Sequence, residues 1–180
     1  MGRCAMRRLL CTLSTAFVLS LAGVSHAQDG DGAVAFARLK ALVGEWNGTV
    51  QWTGVRTDSG TMTVTYATTG GGSAVVENLG DAAAPSMTSV YHLDGRDLRL
   101  THYCGAQNQP RLKASHLDTA RGAFDFAFVD ITNLRSPDAF HVHGVELRLI
   151  DEDHMTLTFL VTGGGGESRE LITLTRSSRS

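Results

Sequence analysis

The chain has 180 residues, with 16 Lys and Arg against 18 Asp and Glu, 42% hydrophobic residues and three cysteines. That length suffices for one domain with its own core and is too short for two. No run of Lys and Arg offers a clustered basic face, which argues against nucleic acid and anionic membrane surfaces as partners.

Arg3, Arg7 and Arg8 precede an uncharged apolar run from Leu9 to Val24, the layout of a signal peptide. Ser25-His26-Ala27 places small residues at the positions signal peptidase reads, so cleavage is expected after Ala27. An apolar run of about 16 residues falls short of the ~20 that a spanning helix needs, and no membrane insertion is expected after cleavage. Leu9 and Leu10 before Cys11 do not make a lipoprotein signal. The expected protein is exported, periplasmic or secreted. Its organisation is residues 1–27 as signal peptide, 28–43 as an N-terminal segment with a short helix, and 44–180 as the folded domain. Loss of the leader removes three arginines and no acid, leaving 13 basic against 18 acidic side chains, a net charge of −5. Cys104 is then the one remaining cysteine, and no intramolecular disulfide can form. Stability must come from the core.

Ala33 to Leu42 has a helical pattern with Val34, Ala35, Leu39 and Leu42 near one face, a plug or lid for whatever follows. After Val43-Gly44 the period becomes two. Trp46, Gly48, Val50 and Trp52 alternate with polar residues, as do Met62, Val64 and Tyr66. Further strands are predicted at 73–79, 87–93, 96–104, 122–131, 139–150, 154–162 and 168–176. Asp94-Gly95 is a two-residue hairpin signal. The stretch from Gln107 through Pro110 to Arg111 reads as a polar loop over a barrel mouth. Asp151-Glu152-Asp153 lacks the alternating spacing of a calcium loop and reads as a solvated turn. The glycines from Gly163 to Gly166 precede no Lys-Ser or Lys-Thr, and form a hairpin tip rather than a phosphate loop.

Nine or ten antiparallel strands with one apolar face each must hide that face and their edges. Closure into an up-and-down β-barrel does both, with a two-sheet sandwich as the alternative. Gly44-Glu45-Trp46 at the start of the first strand resembles the G-x-W signature of lipocalin-like (calycin) barrels, and Leu174-Thr175-Arg176 resembles the segment whose Arg packs across that Trp. Thr101-His102-Tyr103 departs from the T-D-Y of lipocalins. A leading helix with about ten strands is more similar to the nitrobindin and fatty-acid-binding-protein side of that group than to secreted lipocalins. The resemblance implies structural roles for Gly44, Trp46 and Arg176, and a cavity for a small apolar molecule or for haem.

Alternation sets Leu98, Leu100, His102 and Cys104 on one face, directed inward. Pairing across Asp94-Gly95 sets Tyr91 opposite Leu98, Ser89 opposite Leu100 and Met87 opposite His102. Phe124, Phe126 and Phe128 form one inward stripe, and Met155, Leu157, Phe159 and Val161 another. His141 and His143 share a face with Val145, Leu147 and Leu149. The interior is therefore expected to be apolar with one polar cluster, His102, Cys104, His141 and His143. Two imidazoles and a thiolate could hold a transition metal, one imidazole could be an axial haem ligand, or all four could be inward polar residues of structure alone. Arg111 could pair with a ligand carboxylate, and Tyr91 and Phe126 would line the ligand site. Three readings follow: an exported barrel binding an apolar small molecule or haem, a metal- or thiol-dependent enzyme built on the cluster, and a ligand-free structural or interaction domain of the envelope.

Overall fold

The computed structural model describes residues 1–2 and 30–178, so the expected signal peptide and its cleavage site lie outside the described residues. One helix, α1 (Asp31–Lys40), leads into ten strands: β1 (Gly44–Gly54), β2 (Asp58–Thr69), β3 (Ala74–Asp81), β4 (Ala84–Asp94), β5 (Asp97–Tyr103), β6 (Gln109–Asp118), β7 (Ala123–Thr132), β8 (His141–Leu149), β9 (His154–Gly163) and β10 (Gly166–Ser178). Each strand pairs antiparallel with its sequence neighbour, and β1 pairs with β10 to close the barrel. Closure leaves no open edge. The sandwich alternative is thereby removed. Among the described residues no helix is long and apolar enough to cross a membrane.

Closure depends on close approach of β1 and β10, where Gly48 lies opposite Leu174. A Cβ at Gly48 would sit 1.8 Å from the Thr173 carbonyl oxygen, so only glycine fits there. The core runs through the barrel on alternate positions, with Trp46, Leu79, Leu98, Leu100, Phe124, Leu147 and Phe159 among its fully buried side chains.

One end of the barrel is sealed by α1. The helix begins and ends two residues earlier than its hydrophobic pattern suggests, because Ala41 and Leu42 turn towards β1. Asp31 in the first turn and Arg38 and Lys40 in the last complement the helix dipole. Ala35, Phe36 and Leu39 are buried, and Arg38 bonds the Thr119 carbonyl in the β6–β7 turn. Trp46 Nε1 donates to the Leu42 carbonyl at 2.9 Å. Arg176 stacks its guanidinium 4.2 Å from the centre of the Trp46 ring and donates to the carbonyls of Ala41, Leu42 and Val43. Those carbonyls belong to the helix C-cap, Ala41, and to the two residues that lead from it into β1. The stack places Arg176 across Trp46 as the resemblance implied.

Four expectations need correction. The stretch read as a loop around Gln109-Pro110-Arg111 opens β6, which pairs with β7 along its length; Leu112 is its buried anchor, and Pro110 sits at the strand's start, where a missing N–H is tolerated. The β4–β5 hairpin turns on Gly95-Arg96, since Asp94 pairs with Asp97, so Tyr91 faces Leu100 and Ser89 faces His102. The shift keeps every inward residue inward. Phe128 lies beyond Ala127, the last residue of β7 that pairs with β8, and is exposed rather than part of the aromatic stripe. A β-bulge between Val142 and Gly144 reverses the alternation of β8, so Val142 and Val145 both point inward and His143 points out.

Candidate ligand cavity

At the end opposite α1, a cavity of about 490 Å³ opens between the β1–β2, β5–β6 and β7–β8 connections. Trp52, Met62, Met87, Phe140, Val142 and Val161 give it an apolar wall. His102, Cys104, His141, Glu170 and Arg56 supply its chemistry.

His102 is fully buried on β5 because it continues the inward series of Leu98 and Leu100. Its Nδ1 lies 3.0 Å from the Ser89 hydroxyl, its ring packs against Phe159, and its Nε2 is buried with no hydrogen-bond partner. Burial pushes its pKa down to about 4, so the imidazole is neutral through the physiological range. Beneath it lies a second buried polar group. Glu77 Oε2 accepts from Tyr66 Oη at 2.7 Å and Tyr91 Oη at 2.8 Å, all three side chains being buried. Desolvation raises the Glu77 pKa, and hydrogen bonds from Tyr66, Tyr91 and Ser89 work against that rise.

His141 begins β8 at the rim. Its Nδ1 lies 2.9 Å from the Ala139 carbonyl, which can only accept, so Nδ1 carries a proton and Nε2 is free of that bond. Phe128 flanks it from outside, 5.7 Å between ring centres. Glu170 on β10 is 4% exposed, two residues before inward Ile172. Burial lifts its carboxyl to about 7, against the opposing pull of Arg56 and Trp52. Arg56 itself pairs with Asp58 at 3.3 Å and stacks over Trp52. Among the described residues, no Lys, Arg or His nitrogen forms an ion pair with Glu170.

The anticipated cluster is therefore divided. His102, Cys104 and His141 share the cavity, whereas His143 lies in an outer groove beside Leu160 and Arg169. Among the described residues no three His, Cys, Asp or Glu side chains stand together to hold a metal ion. Cys104 lies in the β5–β6 turn, where its Sγ accepts from the Ala106 N–H at 3.4 Å. Burial raises its pKa, leaving the protonated thiol, which is a poor nucleophile and a poor ligand. Arg111 is on the outside, paired with Asp130. Tyr91 and Phe126 pack edge to face in the filled interior, away from the cavity wall. His102 Nε2 has no accessible surface, whereas the bond from His141 Nδ1 to Ala139 leaves its Nε2 free at the rim.

Glu77 and Glu170 escaped the reading from sequence, although a signal was present. Glu77 alternates with Val75 and Leu79, and Glu170 with Ile172 and Leu174, so period two alone directs both carboxylates inward.

No family model and no curated protein matches the sequence. Among solved structures, Rv2717c from M. tuberculosis aligns with a TM-score of 0.51 at 16% identity, over 80% of this chain and 98% of that one. A protein of unknown function from the DUF3598 family of Nostoc punctiforme PCC 73102 aligns with a TM-score of 0.53 at 18% identity, over 76% of this chain and 48% of that one. This chain thus spans about half the length of the second. At these identities the likeness is one of fold.

Proposed function

We propose that the protein is an exported binding barrel that holds a small, largely apolar molecule in the cavity opposite α1. The observation that carries this reading is the cavity itself. Its volume of about 490 Å³ and its wall of Trp52, Met62, Met87, Phe140, Val142 and Val161, with a few convergent polar groups, have the size and character of small-molecule sites. A filled structural barrel would close this space with side chains, as small barrels do. The Arg176–Trp46 stack after Gly44-Glu45 supports a calycin-type barrel, a layout that keeps one end sealed and the other available. The uncharged run after Arg3, Arg7 and Arg8 supports export.

The test is titration with Nile red, a neutral dye that brightens in apolar surroundings. Saturable binding with one dye per barrel is expected, together with a change in Trp52 emission that Trp52→Phe removes. Val161→Trp fills the cavity and abolishes binding while the far-ultraviolet circular dichroism of the barrel persists. Absence of saturable binding, or equal binding by Val161→Trp, overturns the reading. Export is tested separately by the N-terminal mass of the protein from a periplasmic fraction, which should begin at Gln28.

A further inference from the structure

The cavity wall combines apolar side chains with a buried carboxyl. His141 has committed its Nδ1 proton to the Ala139 carbonyl. Glu170 is a buried carboxyl with no ion-pair partner among the described residues. Trp52 donates to it and Arg56 attracts it, yet Arg56 is paired with Asp58, and the other donors on the wall, Ser86 and the Cys104 thiol, are neutral. A buried carboxylate outside any ion pair is costly, and a structure keeps one where something else completes it.

An ammonium group meets this need, because it brings three donors and one positive charge to a compact point. An anionic head, by contrast, would face Glu170. We propose that the ligand is an apolar primary amine, its ammonium seated against Glu170 with His141 as an additional acceptor and its hydrocarbon body along Met62, Met87 and Val161. This deepens the ligand-binding reading above and rests on it.

Three probes with one hydrocarbon chain separate the possibilities: octylamine, octanol and octanoate, each titrated at pH 8 against the protein recovered from expression of the full chain, with displacement of Nile red as the readout. A charge-assisted hydrogen bond contributes about 1.5–3 kcal/mol, so octylamine should bind roughly tenfold or more tightly than octanol, and octanoate more weakly than either. Glu170→Gln should bring octylamine to within about threefold of octanol on the same scale, its fold checked by circular dichroism. Equal affinities for the three probes, or tightest binding of octanoate, would overturn the amine while leaving the cavity reading in place. A wild-type protein that takes up neither Nile red nor any probe would overturn both. The wild-type series decides the matter even where Glu170→Gln does not fold.

Discussion

His102 and Glu170 share a cavity wall and resist charge in opposite directions. A glutamate whose carboxyl rises from 4.5 to about 7 contributes stability fully below pH 4.5 and loses it as the pH rises to about 7, because the unfolded chain releases the proton first. A histidine lowered from 6.5 to about 4 contributes fully above pH 6.5 and loses it as the pH falls to about 4. Each arm is worth about 3 kcal/mol. Between pH 4.5 and 6.5 the two slopes oppose and offset one another. Removing either group exposes the other. Compared with wild type, Glu170→Gln should gain about 3 kcal/mol on going from pH 4.5 to 8, and His102→Gln should gain a similar amount on going from pH 8 to 4. Urea unfolding at pH 4, 6 and 8 measures both. Parallel profiles for wild type and variants would show that neither group titrates in the window given. His102 was legible in the sequence through its place after Leu98 and Leu100. Its lone Nε2 was not, since that depends on Ser89 facing it across β4 and β5, a register fixed by a turn one residue later than Asp94-Gly95 suggests.

At the scale of elements, nine strands were legible from alternation, and the exceptions have local causes. β6 carries one fully buried large side chain, Leu112, and begins at Pro110, so its pattern is too sparse to read as a strand. Once it is a strand, Arg111 lies on its outer face beside Asp130, both about half exposed. Exposed pairs of this kind contribute about 0–1 kcal/mol. Arg111→Ala should therefore leave Nile red affinity unchanged and shift the urea midpoint by no more than that contribution implies. A tenfold loss of ligand affinity would restore Arg111 to the site. β8 shows the opposite failure: its alternation is strong, but one bulge at Val142–Gly144 turns Val142 inward and His143 outside, while His141 stays at the rim. A bulge adds a residue without a hydrophobic signature of its own. Gly48 tests the closure of β1 on β10 directly. With a new Cβ meeting the Thr173 carbonyl, Gly48→Ala should cost about 1–3 kcal/mol or more by overpacking, read as a lower urea midpoint.

For the whole molecule, the two ends of the barrel have separate duties. The α1 end is sealed by side chains that serve stability: Trp46 is fully buried, and Arg176, its side chain 6% exposed, bonds the carbonyls that link α1 to β1 over it. The far end keeps its volume open and tolerates a buried carboxyl and a buried imidazole nitrogen without a partner. Such separation predicts that damage at one end is not felt at the other, because changes without shared partners add. Arg176→Met removes the stack on Trp46 and strips donors from three carbonyls, and should cost about 3 kcal/mol, in the range of lost buried polar networks. Below its lowered urea midpoint it should still bind Nile red with wild-type affinity. Val161→Trp should do the reverse, keeping most of its stability and losing the dye. The double variant should show the sum of the two effects on stability to within about 0.5 kcal/mol. Loss of dye affinity in folded Arg176→Met would instead mean that the helix end and the cavity communicate through the barrel wall, with β10, which carries both Arg176 and Glu170, as the element that links them.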